Sequence, residues 1–540
     1  MSRTTTSEPG DTRMPHDEQN GDDGDPGRDT GGAQEAGDAA GRREGLRQVL
    51  PWISLLVAAG AGALLSVGAF LGVYVRPTSD DWCALWKARD MGVLGITSDF
   101  YRTQNGRVTN AFLTGLLYSD GMRGPKLLPA FLILALGTGL FLLARTALRA
   151  PRRPAEPPTV PLMAAAALVT ALLFFAGTRS YQVLLWAPAT ISHTLPSVIG
   201  IWTVLGAVRA ARSDARWARV AAVGAALLVG VVLGMLSEPF TLVAWVFSAT
   251  VAVLCLPRFG WTRDRYVSTW CAAACLGLLA GLVLLYTSPG ARWRRAQHPP
   301  EPLSVAGVGE TFRDWWRLWQ TIGGQWAYLG ALAAGVLLGM ALAARREGGV
   351  ARQESGRVRR DAPTPPGFPP RALFRVAVLL PLPLIGLASL GVVFGLRSGY
   401  GDTGWTYGRT WTSFLLPLLI TLCAYGAWGG RLLGRHLASP LRPAARAAVL
   451  VAVGTVAVGS TAALVHPVRA LTTSTVARSV AWDRQNARIR DEVAAGAREV
   501  AYRPLLIGGL TEPLFASSYE RDWAARCTAT YYGVNRIHRP

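Results

Sequence analysis

The uncharged run Val49–Val75 (VLPWISLLVAAGAGALLSVGAFLGVYV) passes directly into Arg76-Pro77-Thr78-Ser79-Asp80-Asp81-Trp82, and this junction decides the fold. The run is longer than the about 20 residues an α-helix needs to cross a bilayer core. It is too long for a signal peptide, starts too late and has no small-residue cleavage site before the acids, so it reads as a retained first span. Pro77 ends it. The two carboxylates then fall at the water interface, not at the bilayer centre, where each would cost about 2.5–3.5 kcal/mol on insertion scales. An acid pair placed there is either a functional site or the start of an interfacial helix near Trp82, N-capped by Ser79 or Asp80.

Working outward, half of the residues are hydrophobic, and several runs of about 18 or more residues carry no charge. The class is an all-α polytopic membrane protein. A formal net charge of +21 raises nucleic acid as a partner. The arginines, however, sit in short blocks between apolar runs, which is the positive-inside bias of membrane proteins, and this excludes nucleic acid as the reason for the charge. Arg42, Arg43 and Arg47 precede the first run, placing the N-terminus in the cytoplasm and Asp80-Asp81 outside.

Residues 1–47 lack aromatic residues and are rich in Asp, Gly and Glu, so they predict a disordered cytoplasmic tail. A transmembrane domain follows over 48–464, with a first outer loop at 76–126. Beyond Val49–Val75, spans are expected near Leu127–Leu148, Val160–Gly177, Thr194–Val208, Val220–Leu236, Phe240–Leu256, Val267–Thr287, Trp326–Ala344, Val376–Leu396, Trp411–Trp428 and Ala444–Leu464. Val108–Tyr118 reads as an interfacial helix or part of a span, and 345–375 as a long basic loop. The total is about eleven, which puts the C-terminus outside the plasma membrane. Residues 465–540 then form a small external α/β cap: a helix over Val468–Val500, a strand over Ala501–Ile507 and a helix over Arg521–Tyr532.

Polar groups gather at the outward span ends. They are Tyr101, Asn105 and Arg107 in the first loop, His193 in the turn Leu185–Pro196, Glu238 before Pro239, Arg292, Arg294 and Arg295 after Ser288-Pro289-Gly290, and Arg397 and Arg409. Arginines outside oppose the positive-inside bias, and phosphate is one reason for them, since a planar guanidinium holds anionic oxygens bidentately at any working pH. The plainer readings are lipid head groups for the Arg292–Arg295 cluster, a turn-bonded interfacial histidine, and a helix N-terminal acid at Glu238.

The acid pair, the Asn105-Gly106-Arg107 turn, Trp186…Thr194-Leu195-Pro196, Ser288-Pro289-Gly290…Arg and Asp522-Trp523…Tyr531-Tyr532-Gly533 occur in one order along about eleven spans with an external C-terminal part. That order resembles the GT-C superfamily of membrane glycosyltransferases, and most nearly an uncharacterised bacterial multispanning family placed beside it. The likeness covers the chain after residue 47. It departs at Ala291, where Asn is common after Pro-Gly, and at His193, where an aromatic residue is usual.

The resemblance implies a GT-C-like fold and transfer of a sugar from a polyprenyl-phosphate carrier to an envelope glycan or lipid acceptor at the outer face of the plasma membrane. Asp80 or Asp81 would be the base, and Arg107 would hold either the acids or the phosphate. Arg292, Arg294, Arg295, Arg397 and Arg409 would be candidates for the phosphate, with Tyr101, Asn105, His193 and Glu238 beside the substrate. Two acids can also hold a divalent cation through oxygen ligands. A lipid or solute transporter or flippase predicts mid-span charges and repeated halves, which the sequence does not display. A non-catalytic envelope assembly protein predicts outer polar groups that do not converge.

Of six cysteines, Cys255, Cys271, Cys275 and Cys423 fall within or at the inner ends of spans, where a thiol acts as a small buried hydrophobe. Cys83 and Cys527 lie outside, in the oxidising compartment where disulfides persist. They are either bridged, pinning the cap over the site, or two unrelated thiols.

Overall fold

The computed structural model describes residues 30–149, 156–177, 179–256, 259, 264–297, 304–354, 378–436, 443–507, 515 and 518–540. The helices are α1 (Thr30–Phe70), α2 (Asp80–Thr103), α3 (Val108–Tyr118), α4 (Arg123–Leu148), α5 (Thr159–Phe175), α6 (Ala187–His193), α7 (Leu195–Ala211), α8 (Arg216–Gly234) and α9 (Glu238–Leu254). They continue with α10 (Arg265–Thr287), α11 (Pro289–Gln297), α12 (Val305–Gly323), α13 (Leu329–Glu354), α14 (Pro381–Tyr400), α15 (Thr412–His436), α16 (Pro443–Ala463), α17 (Val465–Ala494) and α18 (Trp523–Tyr532). One two-stranded parallel sheet pairs β1 (Glu499–Ala501) with β2 (Arg536–His538).

Among the described residues nine helices are long and apolar enough to cross a membrane. The chain is a multi-pass α-helical membrane protein. The two remaining expected spans are α5 and α9, each 17 residues long. α5 is buried along nearly its whole length, including Leu168, Leu172, Phe174 and Phe175, and packs on α4, α13 and α15. It needs no lipid-matching length, because its neighbours and not lipid surround it. By contrast α4 turns Leu127, Phe131 and Leu134 outward at 55–69 % exposure, the apolar surface a span presents to acyl chains.

Two helix pairs supply the closest packing. Gly230 and Gly234 of α8 meet Gly277 and Gly281 of α10, and a Cβ added at Gly281 would lie 2.2 Å from the Val231 carbonyl oxygen. In the same way Gly335 and Gly339 of α13 face Gly426 and Gly430 of α15, with 2.0 Å from an added Cβ at Gly335 to the Cys423 carbonyl oxygen. In lipid no hydrophobic drive brings helices together, so small residues four apart let the backbones approach until dispersion holds them.

Several expectations change. Residues 1–29 of the expected tail lie outside the described residues, and from Thr30 the chain is helical. The expected loop at 345–375 begins as helix, since α13 runs to Glu354, and 355–377 lie outside the described residues. The expected strand over Ala501–Ile507 is instead β1, three residues long and two positions earlier, and its partner β2 was not foreseen. The helix α12, with Val305, Val308, Phe312 and Trp316 exposed on one face, was missed because its charges broke the apolar run.

The cap comprises α17, β1, α18 and β2. α18 starts under Asp522, whose carboxylate accepts from the Ala524 N–H, and ends at Gly533 in the left-handed conformation, the usual helix stop. α2 is bent at Gly92, which has φ 67°, and α2 and α3 form a helical hairpin at the capped end of the bundle.

Candidate active site

The site is built on the first turn of α2. Arg478 of α17 donates to the carbonyl oxygens of Arg76 (3.2 Å) and Pro77 (2.7 Å), while the Arg76 guanidinium grips Asp483 through two bonds of 2.7 and 2.9 Å. Ser79, buried, is held at φ 48°, a conformation that costs a non-glycine residue about 1–3 kcal/mol and persists only where its surroundings over-determine it. Trp82 is fully buried among the rings of Trp482, Tyr502, Tyr531 and Tyr532 at centroid distances of 5.1–6.1 Å. Cys83 and Cys527 are bridged, with Cα atoms 4.9 Å apart. Of the two readings of these cysteines, the bridge is therefore the one that holds, and it fixes α18 to the second residue after the acid pair.

The same turn separates the two acids. Asp81 is 1 % exposed; it accepts from the Thr78 N–H at 2.9 Å and from the Tyr118 hydroxyl. The Asp81 N–H in turn donates to the Thr78 carbonyl at 2.9 Å, while the Thr78 hydroxyl finds no partner among the described residues. Burial raises the Asp81 carboxyl to about 7, against the pull of Tyr118, Thr78 and Arg478 and with the push of Asp80. Asp80 is half-buried, and its oxygens accept no hydrogen bond from the described residues. Loss of water raises its pKa, while Arg409, Arg294 and Arg107 oppose that rise. One acid is therefore structural, and the other faces three guanidiniums without being bonded to them.

Two glycine contacts hold the arginine-bearing loops around Asp80. Gly106 has φ 73°, and a Cβ there would lie 2.0 Å from Ser288 Oγ. Gly290 reciprocates, its added Cβ falling 2.7 Å from the Gln104 nitrogen. The turn 104–107 thus nests on 288–290, which explains why both motifs need glycine. Arg107 emerges beside this joint and pairs with Glu238, Nη2 to Oε2 2.8 Å and Nε to Oε1 3.2 Å. Burial lowers the Arg107 pKa, but Glu238, with Tyr400 and Tyr286, more than reverses this, so it stays charged. Asn105 Oδ1 accepts from the Arg107 N–H and shapes the turn.

Arg409 lies over the rings of Trp186 (5.3 Å) and Tyr407 (4.9 Å), a cation–π seat that orients the charge without neutralising it. Its guanidinium donates no hydrogen bond among the described residues. The backbone of His193 is tied to this loop, since Thr412 Oγ1 donates to the His193 carbonyl at 2.9 Å. The imidazole is 9 % exposed, its charged neighbours are Arg409 and Arg107, and Nδ1 has no partner among the described residues. Arg294 and Arg292 are exposed on α11, with no carboxylate in ion-pair reach among the described residues.

Asp80, Arg107, Glu238, His193, Arg294 and Arg409 are thus brought together. Others are not. Arg397 is committed to Glu310 and to Asp314 (2.6 Å) of α12, so it is a strut and not a free cation. Arg295 donates to the Tyr286 carbonyl at 2.7 Å, and Tyr101 stands exposed at the far end of α2. Sequence reasoning missed Tyr118 and Arg478. Ser79 and Trp186 it named only as a helix-cap candidate and as the opening of the turn that holds His193, not as part of the site.

A divalent cation held between Asp80 and Asp81, which the sequence left open, does not fit. Both Asp81 oxygens are taken, Asp80 faces cations, and among the described residues no cluster of three His, Cys, Asp or Glu side chains could hold a metal. What the arrangement offers is a carboxylate able to take a proton, next to fixed positive charge able to receive an anion. Comparison with family models, with curated proteins and with solved structures gives no match.

Proposed function

We propose that the chain is a glycosyltransferase that moves a sugar from a polyprenyl-phosphate carrier to a hydroxyl of an envelope glycan or lipid. The observation that carries this reading is Asp80: a carboxylate without a hydrogen-bond partner among the described residues, half-withdrawn from water, with Arg107, Arg294 and Arg409 as its charged neighbours. A purely structural acid is bonded, as Asp81 is. The convergence of groups from six separate stretches also weighs against a scaffold, for which their meeting has no purpose. The GT-C resemblance of the motif order supports the same reading.

In the reaction the acceptor hydroxyl attacks the anomeric carbon as its proton passes to Asp80. The bond from that carbon to the phosphate oxygen breaks, and its electron pair leaves on polyprenyl phosphate. A raised carboxyl pKa improves Asp80 as a general base. Arg294 and Arg409 face the leaving phosphate, where preorganised positive charge counts most as negative charge develops. Arg107, held by Glu238, orients the site. The cluster lies at the capped end, which in this reading is the outer face of the plasma membrane, with the N-terminus cytoplasmic.

The test is incubation of purified protein with a panel of polyprenyl-phosphate sugars and an envelope acceptor fraction. Release of polyprenyl phosphate by the native protein and its loss in Asp80→Asn are expected. Equal release by both would end the reading.

A further inference from the structure

A cavity lies between α2, the α3–α4 turn, α17 and α18. Its volume is about 730 Å³, within the size range of small-ligand sites, which favour such junctions between substructures. Its chemistry is specific. Arg89, Arg490, Tyr118, Tyr531 and Tyr532 line it, and among the described residues no carboxylate does.

The two arginines differ in their commitments. Arg89 is neutralised at the rim by its neighbour Asp90, through bonds of 2.6 and 3.0 Å, and donates to the Tyr531 carbonyl at 3.1 Å. Among the described residues Arg490 has two long contacts, to Asn486 Oδ1 at 3.3 Å and to the Tyr531 hydroxyl at 3.4 Å. Among the described residues no acid lies within ion-pair distance of it. An uncommitted guanidinium beside two tyrosine rings suits a ligand with both an anionic oxygen pair and hydroxylated rings that can lay a C–H face on an aromatic ring.

We propose that this cavity binds an anionic glycan, its carboxylate or phosphate held by Arg490 and its rings against Tyr531 and Tyr532. Asp80 is not among the residues that line it, and Tyr118, which is, turns its hydroxyl to Asp81. Because Tyr531 and Tyr532 also enclose Trp82, the ligand would rest on the same aromatic group that fixes the cap to α2.

The test is calorimetric titration of the full chain in detergent with three probes: trigalacturonate, glucose 1-phosphate and the neutral maltotriose. Trigalacturonate or glucose 1-phosphate should bind at least tenfold more tightly than maltotriose, and which of them is tighter tells carboxylate from phosphate. Arg490→Ala should weaken the anionic probe tenfold or more, and Arg490→Lys should restore part of that loss. Arg490 is exposed, so both variants should keep the native unfolding temperature. Asp80→Asn should bind the probe normally, which separates this site from sugar transfer. Failure of both anionic probes to bind, equal binding of maltotriose, or unchanged affinity in Arg490→Ala would overturn the proposal.

Discussion

Cys83 and Cys527, separated by 444 positions, are joined by a disulfide that ties the second turn-forming residue after Asp81 to the last helix of the cap. The bond closes a ring around the Trp82 aromatic cluster. The first turn of α2 is consequently held from the cap side by a covalent link, by the Arg76–Asp483 pair and by Arg478, all within seven residues of Asp80.

Replacing the bridge by Cys83→Ser with Cys527→Ser should lower stability by about 2–5 kcal/mol, as loss of a native disulfide closing a long loop does. Thermal unfolding followed in detergent measures it, and the same drop should appear when the native protein is reduced. An unchanged midpoint would mean that Trp82 packing alone fixes the cap.

Asp81 should govern a pH dependence. Its carboxyl is raised to about 7 in the fold from about 3.9 in the unfolded chain. The folded state therefore binds the proton more tightly, and stability falls as pH rises from about 4 to about 7, then levels. Asp81→Asn keeps a partner for the Thr78 N–H and should flatten that fall without stopping sugar transfer. Unfolding midpoints of the two proteins across this window decide it.

Gly106→Ala should cost about 1–3 kcal/mol, since an alanine there must hold φ 73° and push Ser288 aside. Because this joint places Arg107 beside Asp80, activity should fall with stability. A fully active, fully stable variant would show that the two loops do not need their close fit.

Much of this fold is legible in the sequence because lipid imposes a single rule, internal satisfaction of the backbone, and long uncharged runs obey it visibly. The sequence narrowed the cysteines to Cys83 and Cys527, since the other four fall in or beside spans, but left a bridge and two unrelated thiols both open; it took the fold to bring their Cα atoms to 4.9 Å. The glycines at 230, 234, 277 and 281 were present but spoke only once their helices were seen to be partners. Asp80 and Asp81 looked equivalent in sequence, since what distinguishes them is Tyr118, 37 positions from Asp81 and linked to it by no local spacing. Arg397 looked like its fellow arginines until α12, an amphipathic helix hidden by its charges, supplied Glu310 and Asp314.

The central claim is that Asp80 acts as a base opposite fixed positive charge. The pH profile of kcat/KM for polyprenyl phosphate release tests it most directly, in the native protein and in Asp80→Asn and Arg409→Ala. The account predicts a native rate that rises with pH through an inflection above the ordinary carboxylate range, because burial raises the Asp80 pKa and only the ionised form accepts a proton. It predicts a loss of at least about a hundredfold in Asp80→Asn, with the inflection gone. Removing the charge at Arg409 should lower the rate and move the inflection further upward, since that guanidinium is the largest force holding the Asp80 pKa down. A native profile without the inflection, or native turnover in Asp80→Asn, would contradict it.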